Sequence, residues 1–225
     1  MTFVADKLKG VASHYKADGM RGILDAVRSN IWDRTAFLLL SKQISESELD
    51  SQPPDGSVTI REACASDLGM ILDSWPREFE RVFKTRELLE AGLAKRFKDN
   101  VPCFVATDNR CILGAVWCTP WEYTFGNLPH ITATNALEIT NIFVVPSCRG
   151  QRIGSHLLNF SCMRMAKANR TFALSRILPH RVAALKAHYI DGYACLGRIT
   201  YTTAFGRRSC RFEPTQEAPS PSPAV

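Results

Sequence analysis

From Val58 to Phe205 the apolar positions change spacing repeatedly, between the two-residue alternation of a strand and the 3.6-residue period of a helix. Val58 to Glu62 predicts a strand, and Ser66 or Asp67 stands where a side chain can N-cap the helix after it. Thr85 to Phe97 carries a second helical pattern. Cys103 to Thr107 and Cys111 to Cys118 read as the two arms of a hairpin turning at Asp108-Asn109. An aromatic extension, Trp121 to Phe125, leads into a polar loop. Glu138 to Val145 is apolar and β-branched, a largely buried strand that Pro146 ends. Ile153, Leu157, Leu158, Ser161, Cys162 and Met165 then fall on one face of a helix. Thr171 to Leu178 is another strand. Val182, Leu185 and Tyr189 stripe a helix as its core face, and Gly192 stops it. Tyr193 to Phe205 reads as a closing strand pair around Gly197. The order β-α-α-β-β-β-α-β-α-β predicts an α/β (α+β) fold, a mixed central sheet flanked by helices.

The flanks read differently. Val4 to Ile31 has loose helical spacing and Thr35 to Ile44 predicts a strand, so residues 1–50 form a helix-plus-strand appendage. Residues 51–57 are the linker, inside a polar stretch from Ser45 to Ser57 that is interrupted at proline. The main domain covers 58–212, and the Pro/Ser-rich residues 213–225 form a disordered tail.

Composition narrows the class. Of 225 residues 45% are hydrophobic and 22% charged, which suits a globular domain, and no apolar run is long enough to span a bilayer. With no leader pattern, the expected location is cytoplasmic. The eight cysteines include no CxxC pair and, with five histidines, show no metal spacing, so they read as reduced thiols and no metal is expected. The net charge of +6 is unevenly spread: residues 141–212 hold twelve basic side chains against one acid, Asp191. An anionic partner belongs there.

The strongest chemistry lies in Asn141 to Leu158. A buried strand passes through Pro146 into a loop with Arg149, Gly150 and Gly154, which runs directly into an amphipathic helix. Glycines let a backbone approach a phosphate, and the N–H groups of a first helical turn, aided by the macrodipole, point at it. Arg149 and Arg152 add full charges. The spacing is neither GxxxxGK nor GxGxxG.

These residues resemble the GNAT superfamily of acyl-CoA N-acyltransferases, whose signature is a strand, V-x-P, then Arg/Gln-x-x-Gly-x-Gly/Ala and a helix. Here it reads Val144-Val145-Pro146 and Arg149-Gly150-Gln151-Arg152-Ile153-Gly154. Arg152 replaces the first signature glycine, which is tolerable if it is already helical and points outward. The resemblance runs from about Val58 to Arg211. It implies an acetyl-CoA-dependent N-acetyltransferase in which an amine attacks the bound thioester directly. Pantetheine would pair with Ile142, Phe143 and Val144, and the pyrophosphate would lie on Arg149, Gly150, Gln151, Arg152, Ile153, Gly154 and Ser155.

Amine acylation calls for a base and a proton for the leaving thiolate. Glu138 is the candidate base, the carboxylate near the start of the signature strand, and alternation puts it on the face of Thr140, Ile142 and Val144. The other reading is a solvent-facing carboxylate at a strand end. His188 takes the place where the family often has a tyrosine acid. It is read as general acid or as a satisfied helix histidine, with neighbouring Tyr189 as packing. Trp117, Trp121, Tyr123 and Phe125 either line an acceptor groove or cover the sheet. Cys148, beside Arg149, reads as incidental. Arg207, Arg208 and Arg211 could meet the adenosine 3′-phosphate, an acidic acceptor, or nothing.

The expected partners are acetyl-CoA and an amine-bearing acceptor, and a homodimer is compatible with the chain. An acyl-carrier-protein donor stays open, as does a non-catalytic module binding nucleic acid or another polyanion. RNP aromatics and helix-turn-helix spacing, the marks of the nucleic-acid reading, are not evident.

Overall fold

The computed structural model describes residues 32–44, 58–76, 85–108, 110–204 and 207–215. The expectations for Val4 to Ile31, for the linker and for the end of the tail lie outside them. Eight strands are described: β1 (Trp32–Gln43), β2 (Thr59–Glu62), β3 (Cys103–Thr107), β4 (Ile112–Pro120), β5 (Ala136–Val144), β6 (Phe172–Ile177), β7 (Ala194–Ala204) and β8 (Arg207–Pro214). Four helices are described with them: α1 (Leu68–Ser74), α2 (Arg86–Lys98), α3 (Ile153–Lys167) and α4 (Val182–Ile190). The described residues divide into two units, those within 39–196 and a smaller one made of 32–38 with those within 197–215.

In the larger unit the strand order is β2-β3-β4-β5-β6, followed by the part of β1 from Leu39 onward. β2 to β5 run antiparallel, and β5 pairs with β6 in parallel, which makes the sheet mixed. Cys103, Val105, Ala115, Trp117 and Phe143 turn to one face and pack with Ile71, Leu72, Trp75, Leu89 and Leu93 of α1, α2 and the end of α1. The alternate residues meet α3: Phe104 stands edge-on to Phe160, with ring centroids 5.3 Å apart. The hydrophobic alternation of β3 and β4 thus buries both faces, with helices on each.

Asp67 starts α1 by a route other than side-chain capping. Its buried carboxylate accepts from the Cys64 N–H at 2.8 Å and from both arms of Arg61 at 2.7 and 2.8 Å. The Arg61 guanidinium holds this carboxyl well below the usual carboxylate range. Thr85 caps α2, accepting from the Leu88 N–H at 3.3 Å.

In α4 the expected core stripe is reversed. Val182 is 70% exposed and Tyr189 48%, whereas His188 is 1% exposed. At nine residues, α4 is too short for apolar count alone to fix which side turns inward.

In the smaller unit β7 and β8 form an antiparallel hairpin, from Gly197↔Pro214 to Ala204↔Arg207. Gly197 therefore lies within a strand and is not a turn. A Cβ there would overlap the Glu213 carbonyl oxygen, so glycine permits the close approach of the two backbones. Arg208 lies over the Tyr201 ring at 4.6 Å, and Arg211 is 3.3 Å from Glu213.

Candidate active site

β5 organises the site. It pairs with β6 from Ala136↔Phe172 to Ile139↔Ser175, and there the parallel ladder stops although β5 continues to Val144. On its other side the register with β4 slips. Thr140 faces Trp117 and Phe143 faces Ala115, so Asn141 and Ile142 together stand opposite Val116. Asn141 takes φ 49°, a left-handed conformation that asparagine tolerates better than branched residues. This is a β-bulge beside the point where the sheet opens.

The bulge resets the alternation. Glu138 and Thr140 share a face as expected, but Phe143 follows them, its ring centroid 5.0 Å from that of Trp75. Val144 moves to the α3 face, with Cγ2 3.7 Å from where a Gly154 Cβ would stand. The expected common face for Glu138, Thr140, Ile142 and Val144 is thus broken by one extra residue.

Glu138 is 4% exposed and is not a solvent-facing strand end. Arg176 Nε donates to Oε1 at 2.5 Å and Nη2 to Oε2 at 2.8 Å. Arg176 also lies 5.2 Å from the Tyr123 ring centroid, with Nη1 3.3 Å from the Tyr123 hydroxyl. Burial pushes the Glu138 carboxyl above its ordinary range, and Arg176 only partly offsets this. Arg96, at the end of α2, also acts on Glu138 electrostatically. Arg96 lies 5.8 Å from the Trp117 ring centroid. The amide orientation of Asn141 that satisfies its neighbours puts its oxygen 2.9 and 3.0 Å from Arg96 Nη1 and Nη2.

Trp117 and Trp121, 0% and 1% exposed, belong to the packed interior. Tyr123 and Phe125 stay half-buried, stacked in parallel with centroids 6.0 Å apart.

His188 sits elsewhere. Its Nδ1 is 2.8 Å from the Ala184 carbonyl oxygen, which it satisfies as a donor, while Nε2 is buried with no partner among the described residues. Its ring stands edge-on to Tyr193, centroids 4.8 Å apart, and the Tyr193 hydroxyl is 3.7 Å from Cys162 Sγ on α3. Burial lowers the His188 pKa. Glu138 faces α1 and α2, so the two candidate groups occupy opposite faces of the sheet.

The loop after β5 begins with a 3-10 turn, Pro146–Cys148. Arg149 Nε donates to the Val144 carbonyl at 3.2 Å. Gly150 takes φ 84°, and a Cβ there would meet nothing within 4 Å. Arg152 is left-handed, φ 58° and ψ 9°, and is therefore not helical as expected; the chain needs the glycine-like turn and builds it from arginine. It caps α3 with its carbonyl, which accepts from the His156 N–H at 3.0 Å, but offers no side-chain cap. The N–H groups of Ile153, Gly154 and Ser155 thus lie in a first turn without a side-chain cap, with open space at Gly150: these residues fit a phosphorylated donor.

Sequence reading missed three side chains here. Arg96 and Arg176 belong to no motif and reach Glu138 through the tertiary fold. Asp191 carried a signal, as the lone acid of a basic stretch. Its Oδ2 is buried without a partner among the described residues, and burial raises its pKa while Ser155 hydrogen-bonds to it.

The sequence profile of the acetyltransferase (GNAT) family matches residues 68–188, more than half of the 225. A functionally unknown conserved protein from Staphylococcus epidermidis superposes with TM-score 0.56 at 17% identity, covering 80% of this chain and 65% of that one. A Drosophila protein gives 0.53 at 14%, covering 80% and 55%, so the chain spans under two thirds of either relative's length. A GCN5-related N-acetyltransferase from Ralstonia eutropha gives 0.50 at 17%, covering 73% of this chain and 98% of that one. None of the curated proteins searched matches the sequence. At these identities the structural likenesses speak to the fold alone, and the profile carries the assignment: the chain belongs to the acetyltransferase (GNAT) family.

Proposed function

We propose that the protein is an N-acyltransferase that moves an acyl group, acetyl in the first instance, from coenzyme A to an amine by direct attack. The observation that carries this reading is the conjunction at β5. A strand whose parallel pairing with β6 ends at Ile139 leads, through one turn, into a glycine-containing helix start without a side-chain cap. Pantetheine then pairs along Ile142, Phe143 and Val144, and the pyrophosphate lies on Arg149 to Ser155. Val144 is the constrained point, because Arg149 already takes its carbonyl.

In this proposal the amine nitrogen attacks the thioester carbon, the C–S bond breaks and coenzyme A leaves as the thiolate. Glu138 accepts the amine proton through a water. A carboxylate has about four lone-pair sites, and Arg176 occupies two, so capacity remains. In this reading the thiolate takes its proton from solvent and not from the expected His188: with Nδ1 committed to Ala184, Nε2 could donate only from a doubly protonated ring, which burial opposes. A cytoplasmic location follows from the same reading; among the described residues no helix is long and apolar enough to cross a membrane.

Thermal unfolding with acetyl-CoA, coenzyme A and ATP tests the donor site. At about 100-fold excess over its dissociation constant, a true ligand adds about 2.7 kcal/mol. Acetyl-CoA and coenzyme A should both raise the midpoint and ATP should not. Gly154→Asp, which sets a carboxylate against the pyrophosphate, should erase the rise. A shift that survives this substitution would remove the loop assignment.

A further inference from the structure

Arg96 stands out among the charged groups around β5. Arg176 is committed to Glu138 by two hydrogen bonds. Arg96 has no such counter-ion: among the described residues no carboxylate forms an ion pair with it. Its protein partners are the neutral Asn141 amide and the Trp117 ring. It is half-buried, and burial weighs against its charge. Glu138 acts on it only through space, and Glu122, the other carboxylate near Glu138, is exposed. A partly desolvated guanidinium without a carboxylate is costly to fold, since its lost hydration is repaid only by a partner. Two of its five N–H donors go to Asn141, and the rest have no acceptor among the described residues, which leaves a fork for a ligand.

The place of that charge is informative. Asn141, which holds Arg96, is the bulge residue at the opening of β5 from β6, on the far side of Thr140 from Glu138. Nearby, the Trp117 indole N–H is buried without an acceptor among the described residues. A positive charge that acts on the base through space, and is anchored on Asn141 where β5 parts from β6, matches an acceptor that brings its own negative charge.

We infer that the acceptor is an amine bearing a carboxylate, an amino acid or a molecule ending like one, and that Arg96 selects it by pairing with that carboxylate. One unmatched positive charge calls for a monoanion; a phosphate dianion would leave surplus negative charge facing Glu138. This rests on the N-acyltransferase reading and adds the substrate class to it.

The test uses the full chain with acetyl-CoA and a panel of amino acids, each paired with its own carboxamide, which keeps the amine and loses the charge. The carboxylate member of an accepted pair should have a kcat/KM at least about tenfold higher, as charge-assisted hydrogen bonds to a desolvated group require. Arg96→Gln should cut that preference to near unity, mainly by raising KM, while stabilisation by coenzyme A stays as in the parent. Arg96→Lys keeps charge and stem but not the fork, and should fall between the two; it serves if the glutamine variant does not fold. Transfer to amines with no preference for the carboxylate member, or a preference untouched in both variants, overturns the inference and leaves the transferase reading standing. No transfer to any amine, with coenzyme A bound normally, overturns both.

Discussion

A side chain's chemistry here depends on what has already claimed its atoms. Glu138 is a carboxylate whose burial favours the neutral acid while Arg176 favours the anion, and burial prevails. A base of this kind works only when ionised, so turnover should rise with pH through a value above the ordinary carboxylate range. Glu138→Gln keeps the shape but not the basicity. It should lower kcat by roughly 10²–10⁴-fold near neutral pH, with coenzyme A stabilisation unchanged. Steady-state rates over pH 5–9 decide the matter, and parental rates in the variant would move the base elsewhere. The same attention to claimed atoms separates His188 from Tyr189. They are adjacent in sequence, yet one is sealed beneath α4 and the other faces outward.

The elements carry their own strains, and the start of α3 carries the clearest. Arg152 sits in a left-handed conformation that costs an L-residue about 1–2 kcal/mol, part of which glycine would lose again to chain entropy. Arg152→Gly should therefore stabilise the fold by about 0.5–1 kcal/mol while weakening acetyl-CoA binding several-fold, since a cation leaves the anion site. Urea unfolding and a donor titration on the same preparation separate the two effects. A variant that is less stable would show that the side chain does structural work at this turn, outweighing its backbone cost. The strand β8 meets a different constraint at Gly197 of β7, where backbone proximity alone selects the residue.

For the molecule as a whole, the buried His188 ring ties folding to pH. Its folded pKa lies below the ordinary 6.5, so below pH 6.5 the unfolded chain binds the proton first. Stability is complete above that value and is lost as pH falls through the folded pKa. Asp67, held far down by Arg61, adds a second loss below about pH 4. Denaturation curves of the parent and His188→Gln should diverge between pH 8 and 5, the parent losing more; parallel curves would assign the acid sensitivity to another group. Much of this architecture was legible in the chain. Alternation, helical stripes, and turn residues marked every described element from β2 to α4, and the Pro146-to-Gly154 segment marked the donor loop. The strand pair around Gly197 was misread because a glycine for close approach looks like a glycine for a turn. The Asn141 bulge was missed because one left-handed residue leaves no trace in a hydrophobic pattern. Arg96 and Arg176 were invisible because their meaning comes from residues some forty positions away.

That single bulge also makes β5 a strand with two parities. Before Asn141 its chemistry is written toward α1 and α2, and after it the residue bordering the donor loop is written toward α3. Removing one residue there would not trim the strand; it would exchange the addressees of everything downstream, sending Phe143 and Val144 to each other's neighbours. Length at this point is therefore information, and homologous chains that differ by one residue here would have to differ in both faces at once.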